Sequence, residues 1–177
     1  APPQMGGLGF CFKWDMGFMH DTLDYMKLDA YFRSYNHNKL TFSMMYAFSE
    51  NYILPLSHDE VVHGKCSLIE KMSGLYGQKF DSLRTFFMYK MAHPGKKLLF
   101  MGQDIAEFDE WNEGRSVQWE LLKYPEHQAI AELYAELNRL YKTEKSLYAT
   151  DDTPEGFTWL NAISAQDCYL SYMRKGV

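Results

Sequence analysis

The 177-residue chain has no long apolar run and no excess of positive charge. No stretch approaches the roughly 20 apolar residues that span a bilayer, so no membrane partner is expected. Lys and Arg total 18 against 23 Asp and Glu, a formal charge of −5. No Lys/Arg stripe stands out, which removes nucleic acid from the expected partners. Cysteine is scarce too. Cys11, Cys66 and Cys168 are widely spaced and form no C-x-x-C pair, which argues against a disulfide framework or a zinc site and favours a reducing cytoplasm. The first residues carry neither a basic nor an apolar targeting segment and do not begin with Met. That fits a piece of a longer chain, or a processed one. There is no G-x-S-x-G elbow, Gly-rich phosphate loop, internal repeat or low-complexity tract.

What is present is an ordinary globular composition, 46% apolar and 23% charged, rich in aromatics at 16%. Most of those rings read as core; a few suit a site that stacks the apolar faces of sugars. Three short apolar runs, residues 10–15, 52–56 and 97–101, each end abruptly in polar groups. Helical periodicity fills the gaps: a short helix capped by Asp21 or Thr22 through Leu28, a second over residues 39–48, a third over 80–92 stopped by Pro94-Gly95, and the clearest over 127–145. Strand–helix alternation predicts parallel strands with right-handed crossovers. Three such units make either a small open sheet or the last part of a barrel, which needs eight. Residues 150–154 read as a linker, and residues 156–160 and 168–174 as two strands joined by a polar turn.

The chemistry concentrates after residue 56, in Ser57-His58-Asp59-Glu60-Val61-Val62-His63. His58 and His63 are five apart, about 140° around a helix, so they do not reproduce the i, i+4 histidines of a zinc site. No metal is expected. On a strand, Ser57, His58 and Asp59 would point alternately to opposite faces, which excludes a relay among them. What remains is carboxylates at strand ends: Asp15, Asp59 and Asp104. For Asp15 and Asp104 a helix cap or surface turn is an equal reading. Asp59, flanked by His58 and His63 behind an apolar run, is the favoured functional group. Glycoside chemistry uses such carboxylates, and Trp14, Trp111 and Trp119 offer stacking faces, with core packing the expected role of at least one of them.

The run from Leu54 through Pro55, Leu56, Ser57, His58, Asp59, Glu60, Val61, Val62, His63 and Gly64 to Lys65 resembles the seventh-strand motif of bacterial 1,4-α-glucan (glycogen) branching enzymes, in the α-amylase superfamily. Similar wording recurs in family order at Met5-Gly6-Gly7-Leu8-Gly9-Phe10, Lys13-Trp14, His20-Asp21-Thr22-Leu23, Lys39-Leu40-Thr41-Phe42, residues 94–102 and residues 116–122. The resemblance implies an α/β fold. Residues 1–149 would be the C-terminal part of a catalytic (β/α)8 TIM barrel, about strands six to eight with their helices. Residues 150–177 would be a linker and the first strands of an all-β C-terminal domain. It implies cleavage of an α-1,4 linkage and transfer of the chain to a 6-hydroxyl through a covalent glycosyl-enzyme. This is retaining chemistry with no cofactor, and its two reacting carboxyls stand about 5–5.5 Å apart. The nucleophile Asp and acid/base Glu would lie upstream. Asp59 corresponds to the third carboxylate, the transition-state stabiliser. His58, His63, Trp14, Asp15, Gln103, Asp104 and Trp111 become expected substrate contacts, α-glucan the expected partner together with the N-terminal part of the same enzyme, and the cytoplasm the expected location. One departure stands out: Gly102-Gln103-Asp104 replaces a family pattern ending in Glu. A different reading stays open, a non-catalytic glucan- or partner-binding piece with its own open α/β fold, or a related debranching or trehalose-forming enzyme.

Overall fold

The computed structural model describes residues 3–176. Its frame is a three-stranded parallel sheet in the order β1 (Lys13–Trp14), β2 (Tyr52–Leu54), β3 (Lys96–Lys97). Lys13 pairs with Tyr52 and Trp14 with Ile53; Ile53 pairs with Lys96 and Leu54 with Lys97. Single hydrogen bonds carry the pairing further. Asp15 N–H donates to the Ile53 carbonyl at 2.8 Å, Leu98 to Leu54 at 3.2 Å, Leu56 to Leu98 at 3.1 Å and Phe100 to Leu56 at 2.8 Å. Pro55 falls between the β3-facing bonds of Leu54 and Leu56, so its missing N–H breaks none of them.

Helices α1 (Met16–Lys27), α4 (Tyr76–Ala92) and α5 (Pro125–Thr143) are the long ones; α2 (Ala30–Arg33), α3 (Asn38–Thr41) and α6 (Lys145–Tyr148) are single turns. One continuous core joins α1 (Met19, Leu23, Met26), the loop after β2 (Leu56, Val61, Leu68, Ile69, Met72), α4 (Leu83, Phe87) and α5 (Ile130). Helical periodicity places these side chains on the faces that meet the sheet and each other. Lys90 of α4 is buried among them, its ammonium donating to the Leu98 carbonyl.

Several local expectations shift. The first long helix begins at Met16, not beyond Asp21, because the Asp15 carboxylate accepts the Phe18 N–H at 2.8 Å and caps it there. The helix expected over residues 39–48 is split. After α3, a 3₁₀ segment Phe42–Met45 takes over, and Ser43 turns inward to meet His93 Nε2 at 3.0 Å. The strand expected over residues 10–15 is regular at Lys13–Trp14, extended by the single Asp15 bond.

A separate antiparallel hairpin, β4 (Phe157–Asn161) and β5 (Ser171–Arg174), follows. The segment expected to tether it is no loose linker: Thr150 and Asp151 are buried. Thr150 Oγ1 donates to the Lys175 carbonyl at 2.6 Å. Tyr172 OH donates to the Tyr89 carbonyl at 3.3 Å and Arg174 Nη1 to Ala92 at 2.9 Å, fixing the hairpin on α4. Elsewhere apolar side chains stay uncovered: Phe10 is 79% exposed and Leu8 90%, just before β1.

Candidate functional site at the carboxyl edge of the sheet

Because the strands are parallel, the ends of β1, β2 and β3 lie along one edge, and Asp15, Asp59 and Asp104 follow them. The chain leaves β2 through Ser57, whose buried hydroxyl starts a 3₁₀ turn, His58–Glu60. Ser57 Oγ accepts the Asp59 N–H at 3.2 Å. Glu60 reaches back, its Oε2 accepting Ser57 N–H at 2.5 Å and Ser57 O–H at 2.8 Å. This is a reciprocal cap, and its signature in the sequence, Ser-x-x-Glu, lies beside the more conspicuous histidines. It buries Glu60 at 6% exposure and turns its two predecessors outward.

His58 and Asp59 are thus exposed at the edge, with side chains 47% and 57% accessible. The turn also corrects the strand-based expectation that these neighbours point apart. In 3₁₀ geometry His58 Nε2 lies 3.4 Å from Asp59 Oδ1. The His58 ring packs 5.9 Å from Phe100 and 5.7 Å edge-on from Trp111; Phe100 and Trp111 are themselves 5.3 Å apart. Trp111 is held there by its backbone N–H, which donates to the Val61 carbonyl at 2.8 Å. An aromatic wall therefore stands beside an exposed carboxylate.

His63 is fully exposed, its Nδ1 3.4 Å from Glu110 Oε2. Glu110 also accepts Gly64 N–H at 2.9 Å and Cys66 N–H at 2.6 Å. The Cys66 and Gly64 amides hold its carboxyl below the usual range. Lys65 Nζ donates to the Asp59 carbonyl at 2.8 Å, tying the loop back to its start.

The other expected residues are placed differently. Asp15 is buried, capping α1 and accepting Tyr46 O–H at 3.0 Å; burial pushes its carboxyl up despite these bonds. Gln103 is 2% exposed, with Oε1 accepting the Leu68 N–H at 3.0 Å. Asp104 is half-buried near α5, where burial first and the Asp104 charge next push the Tyr134 phenol up. Trp14 is 40% exposed on β1. His58, Asp59 and Trp111 are brought together; among the described residues, Asp15, Gln103 and Asp104 share the edge without contacting them. No cluster of three or more His, Cys, Asp or Glu suited to a metal occurs among the described residues, and no helix there is long and apolar enough to cross a membrane.

No family model matches the chain. Curated relatives do, along nearly all of it. It is 56% identical over 171 residues to the 1,4-alpha-glucan branching enzyme GlgB of Thermobifida fusca, a match that covers 97% of this chain and 23% of that protein. To the protein of the same name in Aquifex aeolicus it is 54% identical over 174 residues, 98% of this chain and 28% of the relative. The Halothermothrix orenii counterpart is 52% identical over the same share. The chain spans about a quarter of the length of the curated relatives it matches. At that identity, sustained from one end of the match to the other, the chain is similar to one segment of proteins named 1,4-alpha-glucan branching enzyme GlgB.

Proposed function

We propose that this chain is the segment of a branching enzyme that supplies the third carboxylate of the catalytic set. In this reading residues 1–149 form strands six to eight of a (β/α)8 barrel with their helices, and residues 150–177 begin the all-β domain that follows. The whole enzyme cleaves an α-1,4 linkage of a glucan, holds the chain as a covalent glycosyl-enzyme and delivers it to a 6-hydroxyl, in the cytoplasm. The nucleophile Asp and the acid/base Glu come from upstream of residue 1. Asp59 grips ring hydroxyls and favours the distorted, oxocarbenium-like sugar. His58 contacts a neighbouring hydroxyl, with Trp111 as an apolar face beside it. His63, Trp14, Asp15, Gln103 and Asp104 shape the same groove from further along the edge, in Gln103's case by holding the Leu68 loop.

One observation carries this reading: Asp59 stands exposed at the carboxyl edge of a parallel sheet, presented by a capped turn and walled by His58, Phe100 and Trp111. Enzymes built on parallel barrels place their chemistry at that edge. With one carboxylate of three, the chain alone is expected not to turn over substrate.

The test is Asp59→Asn in a longer chain that includes the upstream carboxylates, assayed for α-1,6 linkages formed on amylose. Loss of roughly 100-fold or more in transfer is expected, the scale of removing a group that acts on the transition state. Because Asp59 is exposed, unfolding stability should change by less than about 0.5 kcal/mol. Undiminished branching by that variant would overturn the assignment.

A further inference from the structure

Away from the sheet edge, a cleft of about 460 Å³ lies between the end of α1, the loop after Gly64 and the first turn of α4. Its volume is in the range of small-molecule sites. Four lysines line it: Lys27 from the last turn of α1, Lys65 and Lys71 from the loop, and Lys79 from α4. Glu70 is the one carboxylate of the lining, and it is engaged with Lys79 at 3.3 Å. A local excess of positive charge has therefore been gathered on a chain whose net charge is −5.

Lys65 and Lys71 are held by backbone rather than neutralised. Lys71 is 8% exposed and donates to the carbonyls of Lys65 and Cys66, the latter at 2.7 Å. Burial first, and the charge of Lys27 next, push its ammonium down, with Glu110 and Glu60 acting in the other direction. Lys27 forms a solvent-exposed pair with Asp24 at 3.8 Å. Each ammonium carries three donors. Backbone takes one donor of Lys65 and two of Lys71, and Lys79 spends its three on the Glu70 carbonyl, the Glu70 carboxylate and the Met72 carbonyl, so the protons left for the cleft are chiefly those of Lys27 and Lys65. Gly74, at φ +101°, brings bare backbone to the wall. Just beyond it, the 17-residue α4 adds the positive end of its dipole.

Convergent ammonium groups are point charges. They suit a compact dianion approached from several sides, whereas a planar carboxylate is matched by the arginine fork. We propose that this cleft binds the phosphoryl group of a small phosphate compound, at a site separate from Asp59.

The full chain would be titrated calorimetrically at low ionic strength with inorganic phosphate, with glucose 6-phosphate and with glucose. Binding by the phosphates and none by glucose is expected, and whichever phosphate binds tighter distinguishes the free ion from an ester. Lys27→Gln with Lys65→Gln should weaken binding about tenfold, consistent with two exposed charges. Lys142→Gln, at an exposed lysine of α5, should leave binding unchanged. Far-UV circular dichroism checks folding; if the double variant is unfolded, Lys27→Gln alone decides, with a roughly threefold loss expected. Absence of phosphate binding at millimolar concentration, or equal weakening by Lys142→Gln, overturns the proposal.

Discussion

Arg174 Nη2 lies 2.9 Å from Asp151 Oδ1, with side chains only 4% and 3% exposed. The two residues come from opposite ends of the C-terminal stretch. Tyr141 O–H donates to the other oxygen of Asp151 at 2.6 Å, and Lys96 of β3 lies 3.3 Å from it. A single carboxylate thus ties the hairpin, α5 and the sheet together. Replacing Arg174 leaves the buried Asp151 carboxylate to Lys96 and Tyr141, so Arg174→Met should lower unfolding stability by up to about 3–5 kcal/mol. Urea denaturation measures it; a loss under roughly 1 kcal/mol, the size of an ordinary substitution, would show that the tie adds little.

Acid should act on the same group. Burial pushes the Asp151 carboxyl up, but Lys97, Tyr141 and Arg174 together outweigh it and hold the carboxyl below its ordinary value of 3.8. A depressed carboxylate stabilises the fold above its unfolded pKa. That contribution disappears as pH falls through the lower folded value. Wild type should therefore lose stability below about pH 4 more steeply than Asp151→Asn, even though the variant starts weaker. Parallel acid limbs in the two proteins would contradict this.

Lys90 has the opposite consequence in a different range. Burial pushes its ammonium down to about 7. Between that value and the unfolded pKa near 10.4 the unfolded chain binds the extra proton, so stability rises with pH, by at most about 1.4 kcal/mol per pH unit. Lys90→Met keeps the aliphatic stem and removes the titration. Chemical denaturation at pH 7 and pH 9 should show wild type gaining stability relative to the variant. An unchanged difference would mean that Lys90 stays charged in the fold.

Ser57 is the hinge of the functional turn. Ser57→Ala deletes the acceptor of Asp59 N–H and one of two donors to buried Glu60, at a cost of about 1–3 kcal/mol. Amide exchange at Asp59 and Val61 should accelerate with it, while amides inside α5 follow only the global change.

How much of this could be read from the chain depends on the distance between partners. Apolar runs closed by polar groups announced where the three strands fall, although the paired residues are less buried than that pattern suggests: β1 is exposed, β3 half-buried, and in β2 it is Leu54 that is buried. The α5 stripe was equally plain at Ile130 and Tyr134. Asp15 was readable as a site or as a cap, and only its bonds to Phe18 and Tyr46 give it a cap's work. The kink after Thr41 depends on Ser43 meeting His93, fifty residues away. Residues 150–154 look like a tether because Asp, Thr and Pro favour turns; nothing near them reveals that Arg174 will bury Asp151. At the candidate site, the Ser57-x-x-Glu60 cap was a local signal, masked by the histidines around it. The Phe100–Trp111–His58 wall assembles from two loops and has no local signature.

The Glu110 carboxylate grips two amides of the neighbouring loop, while the next residue, Trp111, is anchored to Val61. The loops after β2 and after β3 are therefore latched together where residues 61–66 meet residues 110–111. They should tilt as a single plate, so a sugar chain leaning on Trp111 would be registered at His63 without touching it.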